Sequence, residues 1–281
     1  VANLVHATAA ESLLKELEAT VDVKKQAVYR AWREKGPISY PLKVSLPELG
    51  SILLDRVQNK PDVDTRLRLF REQHTHEGDN IVYIPPQAKS SLQAVDDTRF
   101  PLMDKIKEFL DGDQKVFLLL GDSGAGKSTF CRKLELDLWL AYKCRTSRIP
   151  LYISLPTIDK PDQDMIAKQL RRLDFTEPQI REMKHHRKFV LICDGYDECQ
   201  QAHNLYTRNR LNETGEWDAQ MVISCRSEYL GSDYRGWFQP GDRNQISDSP
   251  LFQEAVLTPF SIDQIQGYIR QHVSIHQPLW R

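Results

Sequence analysis

The stretch Gly121-Asp122-Ser123-Gly124-Ala125-Gly126-Lys127-Ser128, followed by Thr129, fits the pattern G-x-x-x-x-G-K-[ST]. Its residue types suit one chemistry, the enclosure of a polyphosphate. A tight loop wraps phosphate oxygens with backbone N–H groups, so side chains are excluded at the glycines. A helix starting behind the loop aims the positive end of its dipole at the same anion. Lys127 would bridge the outer phosphates, and Ser128 would ligate magnesium through its hydroxyl. From average residue usage, the pattern arises by chance in a chain this long about one time in 100.

Further along, the apolar run Val190-Leu191-Ile192-Cys193 ends in Asp194. A buried strand that delivers a carboxylate beside such a loop can hold magnesium, usually through water. Asp197 and Glu198 follow at once. One of them could orient or deprotonate an attacking water. Glu198 is the first choice as base, with Asp197 supporting the metal; the order of the two stays open. A third apolar run, Met221-Val222-Ile223-Ser224-Cys225, ends in Arg226. A guanidinium there could pair with a terminal phosphate and lose it in the diphosphate state. An ordinary surface arginine is an equally good reading from the residues alone.

The elements that must carry these groups follow from periodicity. From about Phe100 the chain alternates between strand and helix patterns. A helix is expected over 100–110 and a doubly buried strand over 115–120. A helix with Phe130, Leu134 and Leu138 on one face comes next. Further strands are expected over 151–155, 189–193, 221–224 and 255–257. The fold class is therefore α/β, with a mainly parallel five-stranded sheet flanked by helices. Before it, residues 1–85 read as helical. Leu14, Leu17, Val21, Val28 and Trp32 recur at helical spacing, Gly36-Pro37 stops that helix, and shorter helices span about 46–57 and 63–72. Residues 78–87 look like an extended connector. Near the end, Ser261 and Gln264 form a capping box, with Phe260 and Ile265 spaced as a hydrophobic staple. The expected domains are 1–90, helical with a connector; 91–258, nucleotide-binding; and 259–281, the start of a helical domain.

Composition narrows the partners. The 281 residues carry a net charge of −1, so nothing global points to nucleic acid or an anionic membrane. No apolar run is long enough to span a bilayer, and the first residues lack the basic and apolar regions of a signal peptide. The five cysteines, 131, 144, 193, 199 and 225, form no CxxC or zinc spacing, which suits reduced thiols in the cytoplasm. Asn59-Lys60-Pro61-Asp62 mimics a guanine-reading motif but precedes the phosphate loop and caps no apolar strand. His74, His76, His185 and His186 have no acid or thiol cluster to complete a metal site. The helix with Trp32 is read first as packing, and less readily as a partner-binding module.

Three elements now stand in order: GDSGAGKST, LICDGYDE and ISCRSEY, supported by RIPLYISLP and TPFSIDQIQGYI. Together they resemble the NACHT family of STAND signal-transduction P-loop NTPases, over about residues 95–275 and with a wording similar to fungal members. In that family a small residue follows the strand-end Asp and two acids come soon after, as Gly195, Asp197 and Glu198 do here. The resemblance implies that Lys127 and Ser128 hold phosphate and metal, and that Asp194 holds magnesium. It implies that Asp197 and Glu198 support hydrolysis and that Arg226 senses the γ-phosphate. It also implies that the chain is truncated soon after the first helical domain begins.

The expected function is a nucleotide-dependent switch that slowly hydrolyses ATP, or GTP, with Mg2+. The nucleotide state would bias domain arrangement, self-association and binding of protein partners. The alternatives are a P-loop kinase transferring phosphate to a small acceptor, which needs a lid with arginines and finds only Arg171-Arg172 to offer for one, and a non-hydrolysing nucleotide-binding scaffold.

Overall fold

The computed structural model describes residues 62–76, 83–95, 98–199, 204–241 and 250–276. The helices expected over 14–32 and 46–57, and residues 59–61 of the guanine-like motif, lie outside them. From Val63 onward the chain forms one compact unit.

Its centre is a strand that cannot be anything else. In β3 (Val116–Gly121) every residue is buried, as an apolar run covered on both faces requires. Side chains alternate between faces along a strand. Val116, Leu118 and Leu120 therefore enter one core, while Phe117 and Leu119 enter the other. Beside β3 lies β6 (Asp218–Arg226), then β5 (Lys188–Asp194), then β4 (Ile149–Ser154), all parallel. On the other side, β7 (Phe252–Leu257) also runs parallel to β3. These are the five strands expected. Two short antiparallel strands, β1 (Gln87–Lys89) and β2 (Phe100–Pro101), extend the β7 edge, so the sheet has seven strands. The expected domain boundary near residue 90 thus falls between two strands of one sheet. The first residues of the helix expected from Phe100 are drawn into β2.

Helices cover both faces. One core packs α2 (Leu102–Asp111) and the start of α3 (Lys127–Ala141) through Ile106, Phe109, Phe130 and Leu134. The other packs Trp139 of α3, α4 (Met165–Arg172) and α5 (Glu177–His186) through Ile166, Leu170, Ile180 and Met183. The short α6 (Leu205–Arg208) adds Leu205 and Tyr206. Each side chain of this size that leaves water contributes about 1.5–3 kcal/mol. The last helix, α7 (Ile262–His276), starts at the expected capping box: Ser261 Oγ accepts from the Gln264 amide, and Gln264 Oε1 from the Ser261 amide. Phe260 and Ile265 stay 41% and 46% exposed rather than buried in a staple. No described helix is long and apolar enough to cross a membrane.

The helix α1 (Val63–His76) belongs to this unit because its polar groups reach across to it. Asp64 takes hydrogen bonds from Arg187 Nη2 (2.6 Å) and Arg145 Nε (2.7 Å). Arg66 and Arg71 cap the carbonyls of Leu173 and Leu140. Phe70 lies between His74 (4.2 Å, stacked) and Trp139 (5.3 Å).

Under that aromatic layer sits Glu135, its side chain 13% exposed and 3.7 Å from His74 Nε2. Burial raises its pKa to about 7, against the opposing pull of the Trp139 indole, the Tyr152 backbone and Arg132. Between about pH 4.5 and 7 the folded protein therefore holds a proton that the unfolded chain has released. Stability must fall as pH rises through that window. Glu135→Gln removes the ionisation. It is expected to gain on the order of 1–2 kcal/mol at pH 8 and nothing below pH 4.5, read from urea midpoints at the two values. An equal gain at both would show that the carboxyl does not titrate in this range.

Candidate functional site

Parallel strands bring their C-terminal ends to one edge, and the register there is specific. Gly121, which ends β3, pairs with Arg226, which ends β6. Cys193 pairs with Ile223, so Asp194 lies beside Ser224. The strand carrying the arginine thus separates the strand of the glycine-rich loop from the strand of the acid.

The loop after β3 is open to solvent at Asp122, Ser123, Gly124, Ser128 and Thr129, while Ala125, Gly126 and Lys127 are partly covered. Gly124 and Gly126 have φ of +75° and +93°, the left-handed region that residues with a Cβ avoid. This turns successive backbone N–H groups to the same side, the geometry of an anion nest. Gly126 also caps α3, whose first amides, of Lys127, Ser128 and Thr129, have no partner inside the helix. The Lys127 ammonium donates to the carbonyls of Gly121 (2.7 Å) and Asp122 (2.9 Å), which keeps it over the loop. It has three donors in all.

Asp194 is only 8% exposed. Two hydroxyls hold its carboxylate: Ser224 donates to Oδ1 at 2.5 Å and Tyr152 to Oδ2 at 2.9 Å. Burial and then the Asp194 charge push the Tyr152 phenol well above its ordinary pKa, so it keeps its proton and stays a donor. Ser224 Oγ in turn accepts from the Gly195 amide. At Gly195 the chain bends sharply away from β5. Its φ is +84°, which favours glycine, and an added Cβ would also meet Pro156 tightly at 3.3 Å. Tyr152 and Ser224 were absent from the candidates read in the sequence. Their signal is faint: Ser224 is the polar member of an apolar strand, and Tyr152 is a phenol inside another.

The acids after Gly195 sit on a 3₁₀ turn, Tyr196–Glu198. Asp197 turns both oxygens to Arg226: Oδ1 accepts from the Arg226 amide (2.9 Å) and Oδ2 faces Nε (2.9 Å). Its side chain is 6% exposed. Glu198 is 52% exposed and meets Arg226 Nη2 at 3.3 Å. Asp197, Glu198 and Arg226 thus form one ion-paired cluster at the strand edge. Cys225, next to Arg226, is a buried thiol whose pKa burial raises to about 12, so it is no thiolate nucleophile.

The residues present fit a triphosphate with magnesium. The donors are hard oxygens, Ser128 on the first turn of α3 and the buried Asp194, whose oxygens keep lone pairs beyond the two hydroxyl bonds. Among the described residues no group of three or more His, Cys, Asp or Glu could hold a metal. Magnesium on a nucleotide needs none, because phosphates and waters supply most of its ligands. Arg171 and Arg172, the candidates for a lid, are both engaged by groups of the protein. Arg171 pairs with Glu177, and Arg172 caps Thr157.

The family model described as the NACHT domain matches residues 115–275 of this chain. Among curated proteins, the NLR family CARD domain-containing protein 4 of Xenopus tropicalis is 21% identical over 133 residues. The match covers 45% of this chain and spans 13% of that relative's length. Among solved structures, the ADP form of the Aeropyrum pernix ORC2 protein aligns over 73% of this chain and 56% of its own. There the TM-score is 0.45 and the identity 15%. Because the family model spans more than half of the 281 residues, and its span contains the loop, the acidic strand end and the arginine, the chain belongs to the NACHT family.

Proposed function

We propose that this chain is the nucleotide-binding part of a signalling switch that binds ATP, or GTP, with Mg2+ and hydrolyses it slowly. The observation that carries the reading is the shared edge of β3, β6 and β5, where the loop, Arg226 and Asp194 lie on adjacent strands. Membership in a family of nucleotide-binding NTPases supports it.

In this reading the amides of Gly121 to Thr129 and the Lys127 ammonium enclose the phosphates. Ser128 and Asp194 would hold magnesium, which would neutralise charge on the outer phosphates. Glu198 is the base. A water oxygen forms a bond to the terminal phosphorus, the bridging P–O bond breaks with its electrons going to the diphosphate, and the water proton passes to Glu198. Arg226 pairs with the terminal phosphate. Turnover is expected at about 10⁻⁴ to 10⁻² s⁻¹, the range of comparable unassisted P-loop switches. The two nucleotide states then bias domain arrangement, self-association and contacts with protein partners in the cytoplasm.

Two substitutions separate binding from hydrolysis. Lys127→Ala removes the ammonium over the loop and should weaken binding of a non-hydrolysable ATP analogue at least tenfold, measured by calorimetry. Unchanged affinity would end the assignment of the loop. Glu198→Gln should leave that affinity within a few-fold while slowing single-turnover ADP formation about 10²-fold or more. Turnover equal to wild type would remove Glu198 as the base.

A further inference from the structure

Asp197 has an environment unlike that of the other acids at this edge. Its side chain is nearly buried, and both oxygens are committed to one residue, through the main-chain amide and Nε of Arg226. Two bonds of 2.9 Å to groups at opposite ends of one residue fix the exit of β6 and the plane of the guanidinium together. The contact with Glu198 is of another kind: a single bond of 3.3 Å to Nη2, from a carboxylate more than half exposed. Exposed ion pairs of that sort exchange readily, whereas a nearly buried carboxylate held by an amide and a guanidinium Nε together does not.

We propose that Asp197 is the positioning residue of Arg226, and that Arg226 exchanges its Nη edge between Glu198 and a terminal phosphate while Asp197 holds its Nε edge still. This rests on the reading of the site as a triphosphate site. Arg226 starts beside Gly121, the first residue of the phosphate loop, so the anchored guanidinium pivots next to the anion rather than searching for it. In the diphosphate state Nη2 stays on Glu198 and compensates its charge. When a third phosphate is present, its charge draws the Nη edge away, and the Glu198 carboxylate is left to accept a proton from water. Phosphate sensing and release of the base are then one event. Asp197 has no further role as a metal support in this arrangement, because its charge is spent on the arginine.

The test is carried out on the full chain with Asp197→Asn. The affinities of ADP and of a β,γ-imido triphosphate are measured by calorimetry at saturating Mg2+, and Mg2+ is then titrated at fixed nucleotide. Loosening the anchor should lower triphosphate-analogue affinity about tenfold and leave ADP affinity within twofold. The Mg2+ half-saturation should stay unchanged. Arg226→Lys keeps the charge but removes the guanidinium, Nε and Nη alike, and should lose the triphosphate preference; where Asp197→Asn folds poorly, Asp197→Glu, which keeps the carboxylate but displaces its two bonds, should show the same loss. The double variant should lose no more preference than either single one. A raised Mg2+ requirement with the triphosphate-to-diphosphate ratio intact overturns the proposal in favour of metal support. An intact ratio with only a lowered unfolding midpoint overturns it in favour of a purely structural pair. A wild-type protein that binds neither nucleotide overturns the triphosphate reading itself, a failure distinct from the other two.

Discussion

A strand buried on both faces carries a charge most cheaply where it ends, and this constraint organises the site; the mid-strand Glu254 of β7 is the exception, held by Arg235 and Tyr234. Along β3, β5 and β6 an ionised side chain in mid-strand would lie in one of two apolar cores at a cost of several kcal/mol. The charged groups of β5 and β6 therefore stand at the strand ends: Lys188 and Asp218 open them, and Asp194 and Arg226 close them at the C-terminal edge. Parallel pairing then sets them side by side with the glycine-rich loop that leaves β3. The site is a consequence of the core, and a substitution that shifted strand register by one residue would dismantle it.

At that edge two buried carboxylates are satisfied by opposite means. Asp194 receives its hydrogen bonds from neutral hydroxyls, those of Ser224 and Tyr152. Such donors orient a carboxylate and lower the cost of burying it, yet they leave its full negative charge in place. Asp197 receives its bonds from the Arg226 amide and guanidinium, which cancel that charge. A cation is drawn to the first environment and gains little from the second. The two acids stand three residues apart in the chain, and only their partners distinguish them.

Those partners are what the sequence hid. The loop, the acidic strand end and the arginine were legible because each is written within a few consecutive residues next to an apolar run. The five parallel strands were legible for the same reason, since doubly buried strands are continuous apolar segments. Ser224 and Asp197 gain their roles from contacts between β6 and β5 and its turn, some 30 residues apart in the chain, and periodicity does not report strand order. Tyr152 looked like any strand aromatic. The strands β1 and β2, of three and two residues, are too short to show an alternation. Glu135 looked like one more polar residue on an amphipathic helix, because Phe70 and His74, which complete the aromatic layer over it, come from α1.

How far the arginine cluster can move follows from what lies behind it. Asp197 belongs to the turn Tyr196–Glu198, and Arg226 leads directly into a second 3₁₀ turn, Ser227–Tyr229. Their aromatic members pack together: Tyr196 lies 6.3 Å from Tyr229 and 4.7 Å from Phe238, and Tyr229 lies 6.4 Å from Trp237. Close-packed rings of this kind resist small displacements, so both turns are held as one block. The freedom left is that of the Glu198 side chain and the Nη edge of Arg226. An exposed pair of that kind is worth about 0–1 kcal/mol, whereas a complete two-state population shift requires about 5.5 kcal/mol of differential binding. Giving up the Glu198 contact therefore costs little, and in the proposed switch the bias between nucleotide states would have to come from charge-assisted bonds between the terminal phosphate and Arg226, Lys127 and the loop amides. Under the proposed exchange, phosphate would be sensed by electrostatics over a fixed backbone, with the anchored arginine as the element that changes partner.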